Sequence, residues 1–549
     1  MVNESHRRQH RRPLPRPLPS LRSTVRLNKG TDIWHKPAFS GAVAMAVPNL
    51  VLYAAGRLDL ALYAAGGALC ALYGHDRPYA ARARTLVWVV LGMAASVGLA
   101  LTAASLTRSA AVLVLVTALL AAAQKTLCDA TRVGPPGNLI YTFVTATVCF
   151  VPQRLTEVPA HVAVTLACGA FSWLVCMAPG LVRPYGPERI ATARALEAAA
   201  RLPHGAAGGG AAVPRARHAA LAALHTARHA LRPGHAERDR LWLLLHEAEA
   251  TLAHGTPERT ERCAERARAL RSGRLPEPSG AAPAAVRPVE RSGAARAVLD
   301  RLRPGSPLLP VGTRVAVGGA LSGWASIALG TGHPYWAVVT ATAVLQANTS
   351  LTWQRMLQRT LGSLAGLLLF AALVPLARTG PLAIVALAAL LQIGAEAFLP
   401  RNYWLGLVCV TPLALLLSGL VAGLDAGELA ADRCADTLIG AAVGLLVCAL
   451  VTNRRAADRV EAAVEHVREA RAAALAVLER SYGAQEAGRA RDRLMASLVE
   501  LRAAADTADG EWWQRPLPAE PVARAEREAH AVLAALAPCG QPARPAPVG

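Results

Sequence analysis

Seven polar residues interrupt apolar stretches in the second half of this chain: Thr340, Gln346, Asn348, Arg355, Arg359, Glu396 and Asn402. If those stretches lie in lipid, each charge needs a reason, because a charge at the bilayer centre costs about 2.5–3.5 kcal/mol on insertion scales. Glu396 stands near the end of an apolar run, six residues before Asn402. A carboxylate surrounded by apolar side chains favours its neutral form, so it can take up and release a proton. At an interface it would instead pair with Arg401 or Arg359. Arg355 and Arg359 are four residues apart and share one face of a helix near its start. Such a pair suits an anionic substrate or lipid headgroups; the same pair would also serve as positive anchors on the inner side. Thr340, Gln346 and Asn348 can donate hydrogen bonds to a carboxylate. Tyr335 and Trp336 read as interfacial belt aromatics. Lys125 and Asp129, with the same i, i+4 spacing, read as a simple ion pair.

Other chemistries find no support. The only lysines, Lys29, Lys36 and Lys125, follow Asn28, His35 and Gln124, so no Gly-Lys phosphate loop exists. Gly-x-Ser-x-Gly, His-Glu-x-x-His and Cys-x-x-Cys are absent, and the chain is read as not an enzyme. The ten cysteines are scattered and read as small buried hydrophobes in reduced form. His218, His225 and His229 share a helical face, but chelation needs more ligands than one helix offers, so a solvated face is expected. The arginines of residues 183–303 alternate with Glu237, Glu247, Glu249, Glu258 and Glu265, the pattern of solvated helices and not of a nucleic-acid surface.

The elements that must position the seven residues follow from composition. The 549 residues are 53% hydrophobic and 17% charged, with mean hydropathy +0.30. Soluble chains of this size carry about 25% charge and split into several domains, so much of this apolar surface is expected to face lipid. A spanning helix needs about 20 apolar residues. Candidate runs occupy 37–55, 59–73, 86–106, 110–127, 138–152 and 159–181, then 307–329, 335–351, 356–376, 382–398, 403–424 and 437–451. The expected organisation is a basic, disordered tail (1–35), a first membrane unit of about six spans (36–182), a helical linker domain (183–305), a second unit of about six spans (306–452), and C-terminal helices with a disordered end (453–549). Within the linker, 215–232 and 236–254 read as a helical hairpin. After the last span, 456–482, 489–507 and 520–536 read as helices that pack with it. The net charge of +21 concentrates in the tail and linker, which places both termini in the cytoplasm by the positive-inside rule. Asp425, Glu428, Arg433, Asp432 and Asp436 fall in the last outer loop on this reading.

The halves also share landmarks. Arg84-Thr85-Leu86 and Arg359-Thr360-Leu361 open related runs, as do Pro136-Gly137-Asn138 and Pro400-Arg401-Asn402. The expected fold class is therefore all-α and polytopic, with two parallel six-helix transmembrane repeats and a cytoplasmic helical module; a substrate path would lie between the halves.

The second half resembles the fusaric acid resistance family. The resemblance rests on His333-Pro334-Tyr335-Trp336-Ala337 with Thr340 and Val344-Leu345-Gln346. It continues through Trp353-Gln354-Arg355, Gln358-Arg359-Thr360-Leu361-Gly362 and Gly366. Glu396, Arg401-Asn402-Tyr403, Thr411-Pro412-Leu413-Ala414, and Asp432-Arg433 with Asp436-Thr437-Leu438-Ile439-Gly440 complete it. One departure is Ala347-Asn348, where family members often carry a proline after the Leu-Gln pair, so a different local helix break is expected. The resemblance implies an integral plasma-membrane exporter of small aromatic or anionic compounds, driven by protons because no nucleotide motif is present. A membrane scaffold or sensor acting through the soluble helices is the alternative. The expected partners are the lipid bilayer and the substrate, possible self-association into a homo-oligomer, and no cofactor, metal or nucleic acid.

Overall fold

The computed structural model describes residues 19–28, 30, 32–202, 212–231, 235–278, 298–299, 301–303, 306, 308–422, 425–451, 456–480, 484–511 and 519–536. These contain helices and no strands. The first part of the chain forms α1 (Leu21–Val25), α2 (His35–Ala54), α3 (Ala61–Ala68, flanked by 3₁₀ turns), α4 (Tyr79–Leu106), α5 (Ala110–Thr131), α6 (Leu139–Cys149), α7 (Val158–Met177) and the short α8 (Pro179–Val182). Then come α9 (Gly186–Ala200), α10 (Ala212–Ala230), α11 (Ala236–His254) and α12 (Pro257–Arg271). A second apolar series follows: α13 (Leu308–Ala328), α14 (Tyr335–Val344), α15 (Thr349–Ala377), α16 (Pro381–Phe398), α17 (Tyr403–Ala422) and α18 (Ala426–Leu450). The chain finishes with α19 (Ala456–Glu479), α20 (Ala484–Asp509) and α21 (Ala519–Ala535).

This is a membrane protein. Among the described residues, seven helices are long and apolar enough to cross a bilayer, and four shorter apolar helices accompany them. Large apolar side chains on these helices point outward, among them Trp88, Leu99, Leu368, Leu390 and Leu450. In water such a surface would be an association hazard; in lipid it is the solvent-matched face.

Small residues set the packing inside. Gly362 and Gly366 lie one turn apart on α15, and a Cβ at Gly362 would stand 2.4 Å from the Trp404 carbonyl oxygen. The backbones of α15 and α17 therefore meet directly. Gly440 plays the same part between α18 and α14, with the Ala337 carbonyl 2.5 Å from where its Cβ would be. The two apolar series contact each other reciprocally: α2 packs on α16, α13 packs on α5, α3 reaches α17, and α14 reaches α6. Within each series the second helix packs on the sixth, α3 on α7 and α14 on α18.

Several boundaries differ from the sequence reading. The run 335–351 is not one helix. It stops at Val344, extends through Leu345, and restarts after Asn348, whose side chain accepts from the Leu351 N–H as an N-cap. The break thus survives without the proline, since an N-cap defines it equally well. Helices α4, α15 and α18 begin well before their apolar runs, at Tyr79, Thr349 and Ala426. Residues 426–436, read as part of an acidic outer loop, are the first turns of α18, capped by Asp425. Arg433 and Asp436 are both buried there: Asp436 accepts from Ser326 and Thr331, and Arg433 lies over the Trp336 ring. The aromatics Tyr335 and Trp336 are core residues and not belt residues; Trp336 is the largest fully buried side chain. The Lys125–Asp129 pair forms, at 2.9 Å.

Residues 19–28, 30 and 32–35 of the tail have defined structure, contrary to the disorder expected of it. Ser20 caps α1, and the Asn28 N–H donates to the Arg401 carbonyl at 2.8 Å. Residues 1–18 and 537–549, also expected to be disordered, lie outside the described residues, as does most of the 276–288 connection. The soluble helices pack as anticipated, α10 on α20 and α11 on α21. Helix α12 was missed because it is too polar to show a stripe, although its Thr256 cap followed by Pro257 and Glu258 is a recognisable start.

Candidate substrate cavity

A cavity of about 150 Å³ lies between the two apolar series. An apolar cavity of about that size holds a benzene ring. The first series supplies only apolar wall: Met45, Leu69, Leu72, Leu139, Ile140 and Phe143 among others. Every polar residue on its surface comes from the second series: Arg359, Gln392, Glu396, Tyr403 and Arg433.

The charges are poorly neutralised. Arg359 is 5% exposed and Arg433 is 3% exposed, yet neither forms an ion pair among the described residues. Arg359 Nη1 donates to the Tyr403 hydroxyl at 2.9 Å, and its Nε has no hydrogen-bond partner. The Arg433 guanidinium lies 5.3 Å from the Trp336 ring centroid, with Nε and Nη1 unpartnered. Uncompensated buried charge costs several kcal/mol, so this arrangement is suited to an anion that arrives from elsewhere. Glu396 contacts the Gln392 amide at 3.4 Å. The ion pairs considered for it with Arg401 or Arg359 do not form among the described residues.

Arg433 is held from the far side by motif residues that the sequence shows as two separate clusters. His333 stacks on Trp336 at 4.7 Å between ring centroids. Its Nδ1 lies 2.6 Å from an Asp432 carboxylate oxygen that also accepts the Gly332 N–H at 3.0 Å. Asp436, wholly buried, accepts from Ser326 Oγ at 2.7 Å and Thr331 Oγ1 at 2.9 Å. The His-Pro-Tyr-Trp and Asp-Arg motifs thus clasp one another across α14 and α18.

Of the seven predicted residues, Arg359 and Glu396 line this cavity. Gln346, Arg355 and Asn402 line a second, adjoining one of about 230 Å³. Tyr403 separates the two: it lines both, with Arg355 stacked 3.9 Å from its ring centroid and Arg359 on its hydroxyl. The ordered N-terminal strap borders the second cavity. Asn402 Nδ2 donates to the Thr24 and Arg26 carbonyls, both at 3.0 Å, and its Oδ1 accepts from Gln358 Nε2 at 2.9 Å. Thr340 is fully buried against α18 with its hydroxyl unpartnered, and lines neither cavity. Asn348 turns away, donating to the Asp506 and Thr507 carbonyls of α20. Gln392 and Arg433 were missed as site residues. Gln392 carries no charge to draw the eye, and Arg433 falls at the edge of a run that hydropathy places eleven residues too late.

Among the described residues no group of three or more His, Cys, Asp or Glu side chains could hold a metal. His225 and His229 pack edge to face at 4.3 Å on α10. Residues 320–447, a stretch that includes Arg359, Glu396 and Arg433, match the family described as fusaric acid resistance protein-like. No curated protein and no solved structure matches the chain.

Proposed function

We propose that this protein is a plasma-membrane exporter of small aromatic or anionic compounds, driven by protons, with the cavity between its two apolar series as the substrate site. The observation that carries this is the pair of buried, unpaired arginines, Arg359 and Arg433, facing an otherwise apolar pocket of one-ring size. An aromatic carboxylate supplies what both parts lack: a ring for the apolar wall and an anion for the guanidinium groups.

Glu396 is the proton carrier in this reading. It shares the cavity with the arginines and has no ion pair to hold it charged. A bound anion and the charge on Glu396 are electrostatically linked across one small space. The reciprocal packing of α2 on α16 and α13 on α5 supports two parallel repeats related by an axis along the membrane normal. Arg359 lies ten residues, about 15 Å, from the start of α15, and Arg433 lies seven residues, about 10 Å, from the start of α18. The soluble helices and both termini are assigned to the cytoplasm by the positive-inside bias.

Reconstitution in liposomes tests the reading. Benzoate should be transported under an imposed pH gradient, and transport should stop when the gradient is collapsed. Transport that ignores the collapse overturns proton coupling; no transport of any aromatic acid overturns the substrate class. The scaffold or sensor reading draws on one observation, the buried contact of Arg314 with Glu511 at 2.9 Å, which fastens the soluble helices to α13. It requires that substitutions at Arg359 and Glu396 be silent while deletion of 183–303 abolishes function.

A further inference from the structure

A third cavity, of about 290 Å³, lies outside the apolar helices, where α10 and α11 meet α20 and α21. Its floor is apolar, with Leu221, Leu252, Met495 and Leu533. Its polar groups are cationic in excess. Glu249 is the one acid, and it is already satisfied: Arg228 Nη1 donates to it at 2.5 Å and Arg491 Nη1 at 2.8 Å. Arg491 also donates from Nη2 to the Leu536 carbonyl, yet its buried Nε has no hydrogen-bond partner. At the rim, Arg217 and Arg527 are exposed and form no ion pair among the described residues.

His530 is the second under-used group. Its Nδ1 contacts the Glu526 carbonyl, which can only accept, so Nδ1 carries the proton. The other ring nitrogen, Nε2, is buried in a residue that lines the cavity and has no partner. Burial, with Arg217 and His218 nearby, lowers the His530 pKa and keeps the free imidazole neutral. The unpartnered Arg491 Nε–H, an apolar floor and two free arginines at the mouth form a built site, since buried donors are nearly always paired in folded proteins.

We propose that this pocket binds a small organic anion with an apolar body of about one ring, its anionic group taken by Arg217, Arg527 and the Arg491 Nε–H. The site stands on the soluble helices alone and does not depend on the transport reading. It gives the protein a place to register an aromatic acid away from the membrane path. The wall helix α20 runs on to the residues that hold Asn348 and Arg314, where the soluble and membrane parts meet.

The experiment is photolabelling of the full-length protein in nanodiscs with 4-azidobenzoate, followed by peptide mapping. Label is expected on peptides covering 212–231, 484–511 or 519–536, protected by benzoate and not by benzamide. The double variant Arg217→Gln, Arg527→Gln changes exposed side chains, so folding should be preserved. It should reduce that labelling by about tenfold, the effect of losing a charge-assisted contact. Ala534→Phe, which fills the pocket from a half-buried position, should reduce it similarly with unchanged thermal unfolding. Label confined to membrane helices, protection by benzamide equal to that by benzoate, or undiminished labelling in both variants would overturn the proposal. Arg359→Gln should leave this label intact, which separates the pocket from the membrane cavity.

Discussion

The fourth helix of each apolar series carries a buried glutamine, and the two are used differently. On α5, Gln124 is closed into a neutral network: its Nε2 donates to Thr145 at 2.8 Å and its Oε1 accepts from Thr142 at 3.2 Å. On α16, Gln392 faces the cavity and turns to Glu396. The contrast extends to the third helices. Arg84 on α4 is exposed and bonds to a carbonyl of its own helix, whereas Arg359 on α15 is buried in the cavity wall. At the cavity, one series makes an apolar surface and the other brings every ionisable side chain. A shared packing scheme therefore need not mean shared work, and the comparison locates the charges that must be explained by function.

The strongest way to break this comparison is to remove charges from one side only. Arg359→Gln and Arg433→Gln are each expected to lower benzoate transport at subsaturating substrate by about tenfold to a hundredfold, as expected for losing a charge-assisted contact in a dry site. On the apolar side, Met45→Leu keeps volume and polarity and should change the same rate by less than about threefold. Comparable losses on both sides would show that the asymmetry is irrelevant. Next in size is the soluble junction. Glu249→Ala strands Arg491, while Arg228 keeps Asp492, and should destabilise the soluble helices by about 3–5 kcal/mol, read by urea unfolding followed by circular dichroism.

The strap tests the border of the second cavity. Asn402→Ala removes both anchors to the Thr24 and Arg26 carbonyls and should cost about 1–3 kcal/mol locally, seen as faster hydrogen exchange over 19–28. The smallest effect concerns acid. Asp32 pairs with Arg194 at 2.5 Å and with Arg271. Burial alone would raise its pKa, but the two arginines outweigh this and hold it at about 2. A depressed carboxylate contributes stability above its ordinary value and loses it on protonation. Protection factors over 32–34 should therefore be flat above about pH 4 and fall as the pH drops towards 2.

Much of this molecule was legible in its sequence, and the failures share a cause. Each apolar run contains helix, because some twenty lipid-matched residues leave the backbone few alternatives. Hydropathy ends where charges begin, however, while backbone hydrogen bonding continues. That is why α15 and α18 start at Thr349 and Ala426, and why Arg433 and Asp436 were placed in a loop. Arg359 and Glu396 were found because a lone charge in an apolar run is conspicuous. Asn348 was misread as a donor to substrate because an N-cap and a binding-site amide look alike until the helix break is seen. Trp336 was assigned to the interface by type, whereas His333 and Arg433, distant in sequence, enclose it.

The central claim is that Glu396 couples protons to an anion held by Arg359 and Arg433 in the cavity between the two series. The direct measurement compares wild-type protein and Glu396→Gln in proteoliposomes, following radiolabelled benzoate by gradient-driven accumulation and by counterflow without a gradient. The account predicts that Glu396→Gln abolishes accumulation while counterflow persists. Accumulation equal to wild type would contradict it.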